Sequence, residues 1–395
     1  MSFRSSLALF KVPSLAPTMV ALLLAVLAEA VAGSYTALLA IEKVGMSPLE
    51  LTAFLMLSAT AGIVGTTFLG GLYDRKPGRW PLYATMLAKI AGYALAGFVT
   101  APWMLIVVGV TLLGVGSASF ALLFAIAKAQ LDRTDETTSS RGMAAMRLLT
   151  SLGWAIGPAI GAVLVAFGSF TAVYLGAAAL ALIGLATVLL TRLDVVPAAI
   201  GERRELDFGV ARLAAPAALA LTLFHTTMFM GSTAMAVVVV RELGTATDVG
   251  LLFSLCAALE VLVMGIFIVR PMARVSHGLL IAGFVIFALY FAAPLVLPTL
   301  AALYFAQVLR AVAIAIISIL GMAYIQELLP GRPGAAAALF SNTMSTGALL
   351  SGLGSGLWAG AFGFWSIFDV SVVLSLVAAA AIALGRPGKR RRISG

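Results

Sequence analysis

Twelve apolar runs, each near or above the about 20 residues that a helix needs to cross a hydrocarbon core, follow one another between Pro17 and Leu384. Little chain is left for anything else. In lipid every backbone N–H and C=O must be satisfied within the segment or within a closed sheet. The length of the runs favours helices over the short alternating strands of a barrel. With 62% of its 395 residues hydrophobic, only 10% charged and a mean hydropathy of +1.10, the chain lies far outside the range of a soluble domain. The expected fold class is an all-α integral membrane protein of twelve transmembrane helices in two six-helix pseudo-symmetric halves. The expected boundaries are 1–191 for the first half, 192–213 for a cytoplasmic connector, 214–385 for the second half and 386–395 for a basic cytoplasmic tail.

Orientation follows from the basic residues. Of the 25 Lys and Arg, only Lys43 and Arg241 fall in loops on one side; Lys89, Arg147 and Arg310 lie within spans, and the rest lie on the side that holds both termini. The positive-inside rule places that side in the cytoplasm of a cell whose inner membrane carries the protein. The net charge of +9 is spread through loops rather than gathered on one surface, so no nucleic-acid partner is expected. Arg4 and Lys11 before the first run could suggest a signal peptide, but the run is too long and leads into eleven more, so it reads as an uncleaved first helix. Cys256 is the only cysteine, which excludes an intrachain disulfide and a cysteine-based metal site. No cofactor and no metal are expected, and the chain is expected to act as a monomer.

Polar residues inside the spans are the candidate working parts, because an ionisable group in a membrane helix is costly without a role. Glu29 lies in span 1, Lys89 in span 3, Arg147 in span 5, His225 in span 7, Glu260 in span 8, Gln307 and Arg310 in span 10, Asn342 in span 11 and Asp369 in span 12. Span 5 also carries Gly153, Gly157 and Gly161 at four-residue spacing, with Pro158 after the second. They form a smooth face for close helix contact and a candidate bend. Gly70-Gly-Leu-Tyr-Asp74-Arg75-Lys-Pro-Gly78-Arg79 reads as a charged turn between spans 2 and 3. Its Gly70, Arg75 and Arg79 recur as Gly265, Arg270 and Arg274 after span 8. The same offset carries Gly157 and Gly161 onto Gly352 and Gly356, and Arg147 onto Asn342. This is the signature of parallel repeats with a substrate site at their interface.

The Gly70–Arg79 stretch resembles the loop signature between the second and third spans of the major facilitator superfamily, and Gly153–Gly161 is similar to the span-5 signature of its exporters. Met146 to Pro158, Gly321 to Arg332 and Leu339 to Gly347 look like the bacterial sugar efflux transporters of that superfamily. The resemblance implies the major facilitator fold and a proton-driven exporter of small sugars or glycosides by alternating access. Glu29, Arg310 and Asp369 are not features of that resemblance. A multidrug and proton antiporter is the alternative, since the span-5 signature occurs there too and the membrane acids would suit cationic drugs. A membrane enzyme is disfavoured, because no paired acids, histidine cluster or nucleophile motif is present and the outer loops are very short.

The expected partners are thus a small sugar or drug-like substrate, protons and the lipid bilayer. Gln307, Asn342 and Arg310 are candidate hydrogen-bond donors to substrate, with Trp154 and Tyr35 as stacking faces and His225 as a further candidate. Gly70, Asp74, Arg75, Gly78 and Arg79 and the span-5 glycines with Pro158 are the candidate gating elements. The candidate proton-coupling residues are Glu260, Arg147, Glu29 and Asp369. Counted from the cytoplasmic ends at about 1.5 Å per residue, Arg147 lies about 7 Å deep and Glu260 about 15 Å, a gap an extended arginine can bridge. Glu260 is therefore expected to pair with Arg147 when ionised and to release it on protonation, with Glu29 as the reserve carrier.

Overall fold

The computed structural model describes residues 12–75, 78–191, 193, 208–269, 275–329 and 333–385. Among them every regular element is helical: α1 Leu15–Gly33, α2 Pro48–Arg75, α3 Trp80–Ala96, α4 Pro102–Leu131, α5 Glu136–Phe167, α6 Phe170–Thr191, α7 Phe208–Val238, α8 Ala246–Val269, α9 His277–Val296, α10 Leu300–Leu328, α11 Pro333–Leu353 and α12 Trp365–Leu384. Among the described residues, ten helices are long and apolar enough to cross a membrane. The remaining two, α3 with 17 residues and α11, stand where the sequence anticipates spans 3 and 11. α1 runs on through Thr36–Leu38 into a π-helical turn at Leu39–Lys43, and α7 ends in the same way at Val239–Leu243. α11 passes through such a turn at Gly354–Trp358 into Ala359–Phe362.

Two connections are shorter than the sequence reading had them. Gly70 and Gly71 lie inside α2, which continues to Arg75, and a Cβ at either would meet only open space, so neither glycine makes the turn. The polar stretch Lys128–Arg141, read as a loop, is helical except around 132–135. The Asp135 side chain accepts a hydrogen bond from the Thr138 amide at 2.8 Å and starts α5. A carboxylate at this position satisfies one of the free amides of the first turn and complements the helix dipole, which outweighs the modest propensities of Thr and Ser. The connector residues 192 and 194–207, the tail 386–395 and the repeat residues Arg270 and Arg274 lie outside the described residues. α7 begins at Phe208, within the expected connector.

The chain forms two compact units, Met1–Gly201 with Ala246–Ser254, and Glu202–Thr245 with Leu255–Gly395. In the first, α1 packs on α5 and α6, and an aliphatic core joins Leu22 and Val26 of α1, Met86 of α3, Leu123 and Ile126 of α4, and Leu185 and Val188 of α6. The glycine face of α5 lies directly on α1: a Cβ at Gly153 would stand 2.6 Å from Val26 Cγ1, at Gly157 2.4 Å from the Ala30 Cβ and at Gly161 2.6 Å from the Tyr35 ring. Lipid offers no hydrophobic drive for helices to associate, so close approach of this kind is what holds them. Gly250, at the start of α8, fits against the Tyr35 hydroxyl and the Pro158 carbonyl in the same unit.

The second unit repeats the arrangement with different chemistry. α11 lies on α7 through Gly347, whose Cβ would meet the His225 Cβ at 2.5 Å, and Gly354, whose Cβ would meet the Met230 sulfur at 2.6 Å. Its core is aromatic: Phe224, Phe284, Phe287, Phe291 and Phe368 stand with ring centroids 4.8 to 6.4 Å apart.

Candidate functional site

The second unit gathers its polar groups around Arg310 of α10, which is 5% exposed. Its Nη2 donates to Ser232 Oγ of α7 at 2.6 Å, and its guanidinium stands over the Tyr290 ring of α9, 5.7 Å from the centroid. From α8, Cys256 and Glu260 both lie within electrostatic reach of it. Glu260 is half-buried and makes no hydrogen bond or ion pair among the described residues. The cation that neighbours Glu260 in its own unit is thus Arg310. Arg147, the partner inferred by depth, is an exposed residue of the first unit. One turn before Arg310, Gln307 is fully buried and donates to the Leu303 carbonyl at 3.1 Å and toward the Met235 sulfur at 3.6 Å. Its Oε1 has no hydrogen-bond partner among the described residues. In a dry interior such an oxygen is costly, which makes it a place where a donor from outside the chain would be welcome.

His225 sits apart from this cluster. Its ring lies among Phe224, Phe229 and Phe340 at 5.0, 6.5 and 5.5 Å, with Nδ1 3.4 Å from Thr343 Oγ1. It is a buried, packed hydrogen-bonding side chain.

The first unit holds a different centre. Lys89 of α3 and Glu29 of α1 form an ion pair at 2.8 Å, in which the lysine is 4% exposed and the glutamate 40%. Both residues stand out in the sequence, but their pairing does not. Opposite charges in spans 1 and 3, at depths within about one helical turn of each other, were the available signal, because charges in a membrane interior seek partners. A second missed feature is at the end of the α1 extension. There the Lys43 ammonium donates to the Gly97 carbonyl that ends α3 and, at 3.0 Å, to Thr171 Oγ1 at the start of α6. Thr171 itself donates to the Gly97 carbonyl at 2.7 Å. In the second unit Arg241, in the matching π-helical turn, stands over the Phe364 ring at 5.7 Å, and its neighbour Glu242 accepts from Trp365 Nε1 at 2.8 Å.

The other candidates are scattered. Tyr35 is fully buried between Gly161, Gly250 and Phe170, so its ring has no face left for a ligand in this packing. Trp154 is 44% exposed and Asn342 is exposed, each on the glycine-bearing helix of its unit. Asp369 is exposed in the second turn of α12, in line with exposed Val373, Leu376 and Val377, an apolar stripe of the kind that faces lipid. In the turn between α2 and α3, Arg75 is exposed, Gly78 is half-buried and Arg79 Nε donates to the Leu193 carbonyl at 2.9 Å. The Asp74 side chain lies outside what is described.

Comparison with known proteins places this architecture. The model of the Major Facilitator Superfamily matches residues 18–270. A Deinococcus radiodurans protein whose name proposes a sugar efflux transporter is 34% identical over 366 residues, 91% of this chain and 94% of that protein. Sugar efflux transporter A of Escherichia coli is 28% identical over 85% of this chain and 87% of its own length. Among solved structures, a POT family transporter in complex with 5-aminolevulinic acid superposes with a TM-score of 0.77 at 12% identity, covering 94% of this chain and 95% of that one. The nucleoside transporter NupG superposes with 0.72 at 16%, covering 93% and 98%. At such identities the structural likeness speaks for the fold alone. The family match and the full-length relatives go further: the chain belongs to the major facilitator superfamily and is similar to its bacterial sugar efflux transporters.

Proposed function

We propose that the protein is a proton-coupled exporter of small sugars or glycosides that works as a monomer by alternating access, through twelve spans with both termini in the cytoplasm, in the cytoplasmic membrane. The sugar class is suggested by relatives that align over most of their length. The coupling reading rests on one observation. Glu260 and Arg310 belong to one unit and lie within electrostatic reach of each other, while the arginine is bonded to a neutral hydroxyl instead of to the carboxylate. A carboxyl placed so can exchange a proton and change the net charge of its surroundings, which biases one access state over the other. Substrate hydroxyls would find Gln307 Oε1 and the Arg310 guanidinium in the same unit.

The test is accumulation of labelled lactose by everted membrane vesicles carrying the protein, under an imposed gradient acidic inside. Uphill accumulation that collapses with the gradient is the expected result. Gradient-driven accumulation of ethidium in place of lactose would replace this reading with the multidrug alternative.

A further inference from the structure

The Glu29–Lys89 pair has an odd distribution of exposure. Lys89 is sealed at 4%, yet its partner, in the middle of a membrane helix, keeps 40% of its side chain exposed. One carboxylate oxygen, Oε2, is bonded to the ammonium, and no other hydrogen bond reaches Glu29 among the described residues. The surroundings say what the exposed part faces. On the same side of α1, one and two turns earlier, Ala25 and Leu22 are buried in the unit's core, whereas Gly33, one turn later, is exposed with open space where a Cβ would stand. A lipid-facing stripe would be open along the whole helix. This face is closed by Leu22 and Ala25 and opens only at Glu29 and Gly33. A polar side chain exposed at this depth, bonded to a lysine ammonium, is compatible with a water-filled recess and not with hydrocarbon.

We propose that Glu29 is a sugar-binding residue: Lys89 holds and orients one carboxylate oxygen, and the remaining acceptor capacity takes two adjacent hydroxyls of a pyranose. The chemistry fits the ligand class. A carboxylate offers acceptors in one plane at the spacing of vicinal hydroxyls and no donor, so it selects a diol over an amine-free apolar ring or a deoxy sugar. Missing Cβ atoms at Gly33 leave room for the ring itself. The residue is then a determinant of which hydroxyls are read, and not the proton carrier. This inference rests on the sugar-export reading above.

The experiment measures counterflow of labelled lactose in proteoliposomes, with competition by glucose and by its singly deoxygenated analogues, for the parent protein, Glu29→Gln and Glu29→Asp. Loss of a hydroxyl bonded to a carboxylate is expected to weaken competition by about tenfold or more for at least one analogue against the parent protein. That discrimination should shrink to below about threefold in Glu29→Gln, with a raised KM for lactose, while accumulation under a pH gradient at saturating sugar persists. Glu29→Asp, which keeps the charge but withdraws it by one methylene, should sit between the two and serves if the glutamine variant folds poorly. Unchanged discrimination in both variants would reduce the pair to a structural tie, and loss of gradient-driven accumulation with discrimination intact would make Glu29 the proton carrier; either overturns the proposal. If the parent protein moves no sugar at all, the sugar-export reading falls with it, an outcome distinct from both.

Discussion

Each unit holds a centre built on an acid and a base at membrane depth, yet the two centres are wired differently. In the first, Glu29 and Lys89 touch at 2.8 Å, so each is the direct partner of the other. In the second, Arg310 bonds Ser232 and faces Tyr290, and Glu260 reaches it only through the field. A direct pair resists loss of its proton balance, because protonating the acid leaves the buried base unmatched. An arginine supported by neutral groups tolerates the change. On the readings proposed above, the two units would divide the labour, with the direct pair serving recognition in one and the loosely held acid serving coupling in the other.

The largest expected effect separates these roles. Glu260→Gln, which imitates the protonated acid, should abolish uphill lactose accumulation in everted vesicles while leaving counterflow exchange in place. Uphill transport by this variant would end the distinction between the centres.

A second contrast lies in the glycine contacts. A methyl at Gly157 meets the Ala30 Cβ at 2.4 Å and α1 backbone atoms at 3.2 Å, none of which can swing away, whereas a methyl at Gly354 meets the end of the Met230 side chain at 2.6 Å. Gly157→Ala should cost about 1–3 kcal/mol of overpacking and Gly354→Ala less than about 1 kcal/mol, since methionine repacks readily. Thermal midpoints in detergent would rank the two, and an equal or reversed order would show that the α5 contact yields more than its geometry implies.

The smallest effects belong to the π-helical turns. Removing the Lys43 ammonium takes a charge-assisted bond from the Gly97 carbonyl and another from Thr171, and Lys43→Met should cost about 1–2 kcal/mol. Arg241→Met, which gives up a cation–π contact with Phe364, should cost about 0.5–1 kcal/mol. The same melting series would measure both.

The apolar runs made the helices legible, because length and hydropathy suffice to state that a segment must be helical in lipid. Boundaries were harder: Asp135-Glu136-Thr137-Thr138 reads as loop by polarity, although an aspartate cap with a glutamate in the first turn was there to be seen. Among site residues, Glu260 and Arg310 stood out as membrane charges, but that the two lie within electrostatic reach of each other did not follow. Depth counted along a helix carries no azimuth, and each residue turns the side chain by about 100°. The span-5 glycines announced a close contact without naming α1 as the surface beneath them. Nor did the sequence name α7 as the surface on which Gly347 and Gly354 pack.

The short α3 has a consequence for the lipid itself. Its 17 residues rise about 26 Å, at the short end of what crosses the about 30 Å of a typical hydrocarbon core, so it has little margin at its ends in a bilayer of ordinary thickness. The carbonyl at one of those ends, that of Gly97, already holds the Lys43 ammonium and the Thr171 hydroxyl. Where water would otherwise have to follow the helix inward, or the acyl chains thin to meet it, the protein brings its own solvation, and hydrophobic mismatch at this corner is absorbed by a flexible lysine stem instead of by the membrane.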